Sequence, residues 1–270
     1  MHISFIGGGN MAEALISGLQ KHHFNMQDIH VIELDANKRE HLQTTYGAVA
    51  NECIADIAKS DVVILAVKPQ QLKAVSAIVS PLLTKQCVIS IAAGVRLADL
   101  SRWLNDYAAI VRCMPNTPAQ IQAGVTALIA MPNVTKTQIE QADTILSAVG
   151  KTLWLDNEAK LDAVTAISGS GPAYVFYLIE ALQLAALELG LNDNEARLLS
   201  LQTFAGASAL AAQSTVDVAT LRTQVTSKGG TTEQGLLSLE HAQVKTAIVD
   251  AAKAAAAKSV ELGDLLSQSN

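Results

Sequence analysis

The chain has 270 residues, half of them apolar and 16% charged, with a formal net charge of −6. That length fits one or two domains with a large core, and the acidic balance excludes the basic footprint of a nucleic-acid binder. No apolar run reaches the ~18 residues of a membrane helix, and charge this sparse in a soluble chain predicts apolar surface hidden in an oligomer.

The first predicted element is a strand made by Ile3, Phe5 and Ile6, so close to Met1 that no signal or transit peptide is expected before it. Cys53, Cys87 and Cys113 are odd in number and far apart, which reads as buried thiols in a reducing compartment. The six histidines form no ligand pattern, so no metal is expected. Together these bounds describe a soluble cytoplasmic protein.

Gly7-x-Gly9-x-x-Ala12 follows the strand, and 11–20 reads as a helix. Strand, glycine turn and helix in this order form the dinucleotide fingerprint. Gly7 makes the turn, Gly9 lets a pyrophosphate approach the backbone, and Ala12 lets helix and strand pack closely. Gly8, Asn10 and Met11 complete the phosphate turn, with the helix dipole facing the phosphates. A second strand, 29–33, ends at Glu33, where an acid ordinarily binds the ribose 2′-hydroxyl and disfavours a 2′-phosphate. Asp35 adds to that repulsion, whereas Asn37, Lys38 and Arg39 open the next helix and are placed to hold the phosphate. Both NADPH and NADH stay open on these residues.

Further strands are expected at 62–67, 88–91, 109–113 and 125–130, with helices at 38–46, 70–83 and 97–104. This alternation predicts an α/β fold: a Rossmann-like, doubly wound, mostly parallel sheet covered on both faces. The loops carrying Lys68-Pro69, Ala92-Ala93-Gly94 and 114–118 then share the sheet edge of the glycine turn.

From about Asn157 the pattern is helical only. The division expected is a dinucleotide-binding domain over 1–156 and a helical substrate-binding and dimerisation domain over 157–270. Positions 172–189 are apolar nearly all round, which predicts a helix buried on most sides, with Tyr174, Phe176 and Tyr177 read as core. Gly190 ends that helix, and Asn192 with Glu195 offers a capping box for the next. A last, alanine-rich helix runs from about 241 to 262, and the tail 267–270 is expected to fray.

Two glycine turns lead into helices here, Gly169-Ser170-Gly171-Pro172 and Ser227-Lys228-Gly229-Gly230-Thr231-Thr232. In the second, Thr231 and Gln234 have capping-box spacing. Its N–H groups converge at a helix start, a place that attracts a carboxylate. No histidine, cysteine or tyrosine lies within either turn as a proton shuttle, which alcohol or hydroxy-acid dehydrogenation needs. An imine arrives already protonated, so its reduction asks for positioning and polarisation. Another small imine, a β-hydroxy acid, and nucleotide sensing without turnover are the alternatives.

Six segments taken in order resemble the pyrroline-5-carboxylate reductase family: Gly7-Gly8-Gly9-Asn10-Met11-Ala12, Ala66-Val67-Lys68-Pro69-Gln70, Ser90-Ile91-Ala92-Ala93-Gly94-Val95, Arg112-Cys113-Met114-Pro115-Asn116-Thr117-Pro118, Ser168-Gly169-Ser170-Gly171-Pro172-Ala173-Tyr174 and 227–232. The resemblance implies NADPH-dependent reduction of 1-pyrroline-5-carboxylate to L-proline. It also implies an intertwined homodimer through the C-terminal helices, often assembled further. By the same resemblance Thr232 is the catalytic residue, hydrogen-bonded to the ring nitrogen, while Gly229, Gly230 and Thr231 hold the substrate carboxylate. Glu158 matches an acidic position near the substrate; its other reading is a solvated carboxylate at a helix start. Ser168 and Ser170 are either pocket residues or turn and cap residues. Lys68, Pro69, Ala93, Gly94 and Asn116 fall along the nicotinamide half of the coenzyme, joined by Ala66, Val67 and Ala92. Lys228 departs from the proline that many members carry, freeing one φ angle in the turn.

Overall fold

Eight strands form a single sheet: β1 (Ile3–Ile6), β2 (Ile29–Ile32), β3 (Val49–Asn51), β4 (Val62–Leu65), β5 (Cys87–Ser90), β6 (Ile110–Met114), β7 (Gly124–Ala130) and β8 (Gly150–Trp154). In this computed structural model, which describes residues 1–268, their order is β3-β2-β1-β4-β5-β6-β7-β8. β1, β4 and β5 are buried at every residue, as short apolar strands covered on both faces must be. All pairs are parallel except β6–β7. The carboxyl ends of β1, β4, β5 and β6 therefore share one edge, as the alternation predicted.

Helices cover this sheet: α1 (Asn10–Lys21), α2 (Ala36–Tyr46), α3 (Pro69–Val79), α4 (Leu97–Trp103), α5 (Lys136–Ser147) and the short α6 (Lys160–Val164). One core layer joins Ile3 and Phe5 to Leu15, Ile16, Leu19 and Ile145. The other joins Ile6, Val63 and Leu65 to Leu72, Leu100 and Leu161. Alternate strand residues feed opposite layers, the period-two geometry of a pleated strand.

Several local features differ from the sequence expectation or go beyond it. β3 and β8 are additional strands, and β7 runs against β6. α3 stops at Val79 and gives way to a 3₁₀ turn, Ser80–Leu82, at Pro81, whose ring does not fit a helix interior. The segment before Pro172 is no open turn: Thr165–Gly169 is π-helical and continues α6 toward the next helix. A Cβ on Gly169 would lie 2.5 Å from Met114 Cε, so this glycine serves close packing. Cys53 is exposed, whereas Cys87 and Cys113 are buried as expected.

The remaining helices are α7 (Gly171–Glu188), α8 (Asp193–Gln213), α9 (Val218–Gln224), α10 (Thr231–His241) and α11 (Val244–Gln268). Compact packing divides the chain into Gly171–Lys253 and a unit of Met1–Ser170 with the chain from Ala254 onward. This packing division falls after Ser170, whereas the sequence division at 156/157 marks where the helical pattern begins. Leu161 and Ala166 are buried with the sheet unit, and the end of α11 returns to it. Gly190, at φ +91, ends α7, and Asn192 with Glu195 forms the expected capping box of α8. Ser267 stays helical within α11, against the frayed tail expected from 267; positions 269 and 270 of that tail lie outside the described residues. Within α7 only Ala186 is buried in the single chain, while Phe176 is 65% and Tyr177 73% exposed. The expected core role of these two aromatics is therefore not met within one chain. No helix among the described residues is long and apolar enough to cross a membrane.

Gly150 marks the tightest backbone approach in the sheet. Its φ is +146, and a Cβ there would overlap the Gly124 carbonyl across the β7–β8 pair. Gly150→Ala should cost on the order of 3 kcal/mol of stability through strain and overpacking. Urea unfolding checks this; an unchanged midpoint would contradict the geometry.

Candidate active site

The turn after β1 holds the first group of site residues. Gly7 has φ +97, and its N–H donates to the Ile32 carbonyl at 2.9 Å. A Cβ on Gly7 would stand 2.9 Å from the Ala66 oxygen, and one on Gly8 2.8 Å from Leu42 Cδ1. Gly9 differs, because a Cβ there meets nothing within 4 Å. It is the N-cap of α1, whose start, at Asn10 and Met11, has no side-chain cap. An uncapped twelve-residue helix with open space before it fits a pyrophosphate. Ala12 is fully buried, as the close packing of helix on strand requires.

Glu33 lies beside this turn. Its carboxylate accepts from the Gly8 N–H at 2.8 Å and the Asp35 N–H at 3.0 Å, with Lys38 Nζ 4.0 Å away. Burial works against its ionisation, but those two N–H groups and Lys38 outweigh it and hold the carboxyl below its ordinary value. Asp35 caps α2 through the Asn37 and Lys38 N–H groups. Arg39 is otherwise engaged than expected: it donates to the Glu33 and Leu34 carbonyls, both at 2.8 Å, and pairs with Glu52 at 2.7 Å. The cation left exposed at this end of the site is Lys38.

The loops after β4, β5 and β6 bring the other coenzyme candidates to the same edge. The Ala66 N–H donates to the Ile6 carbonyl at 2.9 Å, which places Val67 next to the glycine turn. Lys68 is the N-cap of α3, with Pro69 at the first helical position, where its missing N–H is not needed. After β5, Ala92 is buried, Ala93 exposed and Gly94 at φ +79. Asn116 is engaged at both ends of its amide, accepting from Val125 N–H and donating to the Ser168 carbonyl. The Ser168 hydroxyl donates to the Val164 carbonyl at 3.0 Å.

A groove of about 470 Å³ opens along this edge, with Pro69, Ala93 and Gly94 on one side and Ser259, Leu262 and Leu266 of α11 on the other. Glu158 is half-buried, with its side chain 29% exposed. Its Oε1 accepts from Arg112 Nη1 at 2.6 Å and from the Leu97 N–H at 2.8 Å, and Arg112 is only 7% exposed. The sequence carried a signal for this pair that was not used, a charge inside the apolar strand 110–114. Neither buried cysteine is a nucleophile: burial pushes the Cys87 thiol up to about 12 and Cys113 higher.

The second glycine turn belongs to the helical unit. Gly229 has φ +75, and Gly230, not Thr231, is the N-cap of α10. The Thr231–Gln234 capping box does not form. Instead the Glu233 carboxylate accepts from the Gly229 N–H at 2.7 Å. A carboxylate thus sits on this turn already, supplied by the chain itself. Thr231 and Thr232 are exposed, and among the described residues their hydroxyls make no hydrogen bond.

Known proteins match this arrangement along the whole chain. Residues 158–262 match the family model described as pyrroline-5-carboxylate reductase dimerisation, and residues 2–94 the one described as NADP oxidoreductase coenzyme F420-dependent. A pyrroline-5-carboxylate reductase of Pseudomonas aeruginosa is 44% identical over 268 residues, 98% of each chain. The structure of a pyrroline-5-carboxylate reductase from Coxiella burnetii superposes with a TM-score of 0.92 at 39% identity, covering 97% of this chain and 98% of that one. The Plasmodium falciparum pyrroline carboxylate reductase with NADP bound gives 0.87 at 29% identity over the same shares. With a glycine turn at the sheet edge, a second one at the start of α10 and identity of this extent, the chain belongs to the pyrroline-5-carboxylate reductase family.

Proposed function

We propose that this chain reduces 1-pyrroline-5-carboxylate to L-proline with NADPH, the last step of proline biosynthesis. The observation that carries the proposal is the 229–232 turn, where a backbone N–H already takes a carboxylate and the adjacent Thr232 hydroxyl is uncommitted. When bound, NADPH supplies a hydride with its electron pair. The N–H groups of Gly9, Asn10 and Met11 would hold the pyrophosphate, and Lys38 would meet the 2′-phosphate. Pro69, Ala93 and Gly94 would flank the nicotinamide along the largely apolar groove.

At the substrate, the N–H groups of Gly229, Gly230 and Thr231 hold the carboxylate, displacing Glu233. The Thr232 hydroxyl hydrogen-bonds the ring nitrogen. As C5 gains the hydride pair, the π pair of the C=N bond becomes a lone pair on nitrogen, and the Thr232 hydroxyl donates to that lone pair as it develops. A protonated iminium already carries the N–H of the product, so no side chain has to deliver a proton in that step. Glu158, fixed by Arg112 and the Leu97 N–H, acts as an anchor of the loop after β5.

The functional assembly is a homodimer through the helical unit, open to further association. Its support is the exposed apolar surface of α7, with Phe176, Tyr177, Leu184 and Leu187, together with the match of 158–262 to a dimerisation model. Light scattering at micromolar protein should give at least a dimer; a stable, active monomer would contradict this arrangement.

The two basic residues after Glu33 should separate by experiment. Lys38→Ala should weaken NADPH binding about tenfold and leave NADH nearly unchanged, because this exposed charge, only loosely paired with Glu33 at 4.0 Å, is within reach of a 2′-phosphate that NADH lacks. Arg39→Ala should weaken both coenzymes alike, since Arg39 ties down the Glu33 and Leu34 carbonyls. Calorimetric titration with both coenzymes reads the difference; selective loss of NADPH in Arg39→Ala would reverse the assignment.

Thr232→Val should slow turnover by roughly ten- to a hundredfold, the worth of a hydrogen bond of ~1.5–3 kcal/mol made mainly in the transition state. Thr231→Val should change kcat and stability little, because Gly230 caps α10. Steady-state kinetics on both variants decides; full kcat in Thr232→Val refutes the role given to its hydroxyl.

A further inference from the structure

Gly263 lies inside the 25-residue helix α11, where alanine is favoured over glycine. The reason for a glycine is a neighbour: a Cβ on Gly263 would stand 3.1 Å from the Gly94 carbonyl oxygen and 3.4 Å from Arg96 Nη2. The approach is mutual, because a Cβ on Gly94 would stand 3.3 Å from Leu266 Cδ1 and 3.8 Å from the Gly263 nitrogen. Polar bonds flank the contact on both sides. Asp264 Oδ1 accepts from Arg96 Nη2 at 2.6 Å, and the Ser267 hydroxyl bonds Asp99 of α4. Toward the start of the segment, the buried Ser259 donates to Asp162 at 2.6 Å. Arg96 thereby faces the acids Asp264, Asp162 and Asp99. The loop so held, 92–96, forms one lip of the 470 Å³ groove, and the same stretch of α11 forms the other.

We infer that the C-terminal half of α11 is a positioning element for the coenzyme: Gly263 seated on Gly94, with Asp264 holding Arg96, sets the place of the Ala93–Gly94 wall against the nicotinamide. The inference rests on the proposed use of NADPH. Gly263 and Asp264 touch no reacting atom and act through the loop. A shift of a few tenths of an ångström at Gly94, which a methyl group on Gly263 requires, changes the width of the groove. The exposed Arg96–Asp264 pair adds a weaker, salt-screened restraint.

The test compares wild type, Gly263→Ala, Gly263→Val and Asp264→Asn. It reads amide hydrogen exchange over 92–97 in the coenzyme-free protein, the Kd of NADPH by calorimetry, and the split between KM and kcat. Gly263→Ala should speed exchange in that loop and raise both Kd and KM for NADPH about tenfold. Its kcat at saturating NADPH should stay within about twofold, and helix content should hold because alanine suits α11. Gly263→Val should exceed it, and Asp264→Asn should move the same quantities less. Wild-type Kd in Gly263→Ala overturns the inference, as does a fall in kcat that merely follows a fall in Tm. If wild-type protein binds no NADPH, the proposed function fails and takes the inference with it; if wild type binds and the variants bind equally well, only the inference fails.

Discussion

The approach of Gly7 to the Ala66 carbonyl sets the spacing on which the coenzyme edge is built. The Gly7 N–H reaches the Ile32 carbonyl and the Ala66 N–H reaches the Ile6 carbonyl, so the ends of β2, β1 and β4 are tied at one point. A Cβ on Gly7 would collide with backbone, which cannot move aside without separating β1 from β4. In a doubly wound sheet this is where the strand order reverses and a crevice opens. The glycine is required first by sheet closure; the free backbone N–H groups beyond it follow from that geometry.

What those N–H groups meet separates candidate site from scaffold. α2, α5, α8 and α9 have their first N–H groups capped by Asp35, Thr135, Asn192 and Asp217. Glu158 serves the Leu97 N–H at the start of α4 in the same way. α1 and α10 begin instead at glycine caps, Gly9 and Gly230, with no side chain on their N–H groups. Uncapped helix starts attract anions, and α3, which begins at Lys68 on the same sheet edge as α1, also lacks a side-chain cap. α1 and α10 carry the dinucleotide turn and the turn assigned to the substrate carboxylate. Glu233 takes only the Gly229 N–H ahead of α10, so the helix start itself stays open.

Much of this was legible because it is local. Strand β1 matched its expected span, and the glycine spacing with Ala12 located the turn between β1 and α1. The Asn192–Glu195 box was readable because a cap lies within four residues of its helix start. The misses share a non-local origin. β3 has three residues and exists only as a partner of β2, and β8 is ordered by β7 through the Gly124–Gly150 contact. Arg39 looked like a free cation until Glu52, thirteen positions on, was brought beside it by β3. For Glu158, read either as an acid near the substrate or as a solvated carboxylate, the partner Arg112 is brought by β6, far away in the sequence. Thr231 lost its capping role for a local reason: Gly230 is extended at φ −87 and ψ 171, the usual cap conformation, so the helix starts one residue earlier than the box spacing implied.

The apolar girth of α7 shows a different limit. Hydropathy predicts a helix that water does not cover, but a covering surface is not encoded in its own periodicity. Within the chain, α8 is a sequence neighbour joined by the tight 190–192 connection, and it leaves Phe176, Tyr177 and Leu184 exposed. A second copy of the same unit offers what the chain lacks, since a two-fold interface matches a surface with itself. Under the proposed homodimer the residues over 171–253 reach their full burial only on association. Their stability then depends on protein concentration and cannot be assigned to one chain. The low charge content of the sequence has the same cause, because side chains destined for a shared core are counted in each copy but exposed in neither.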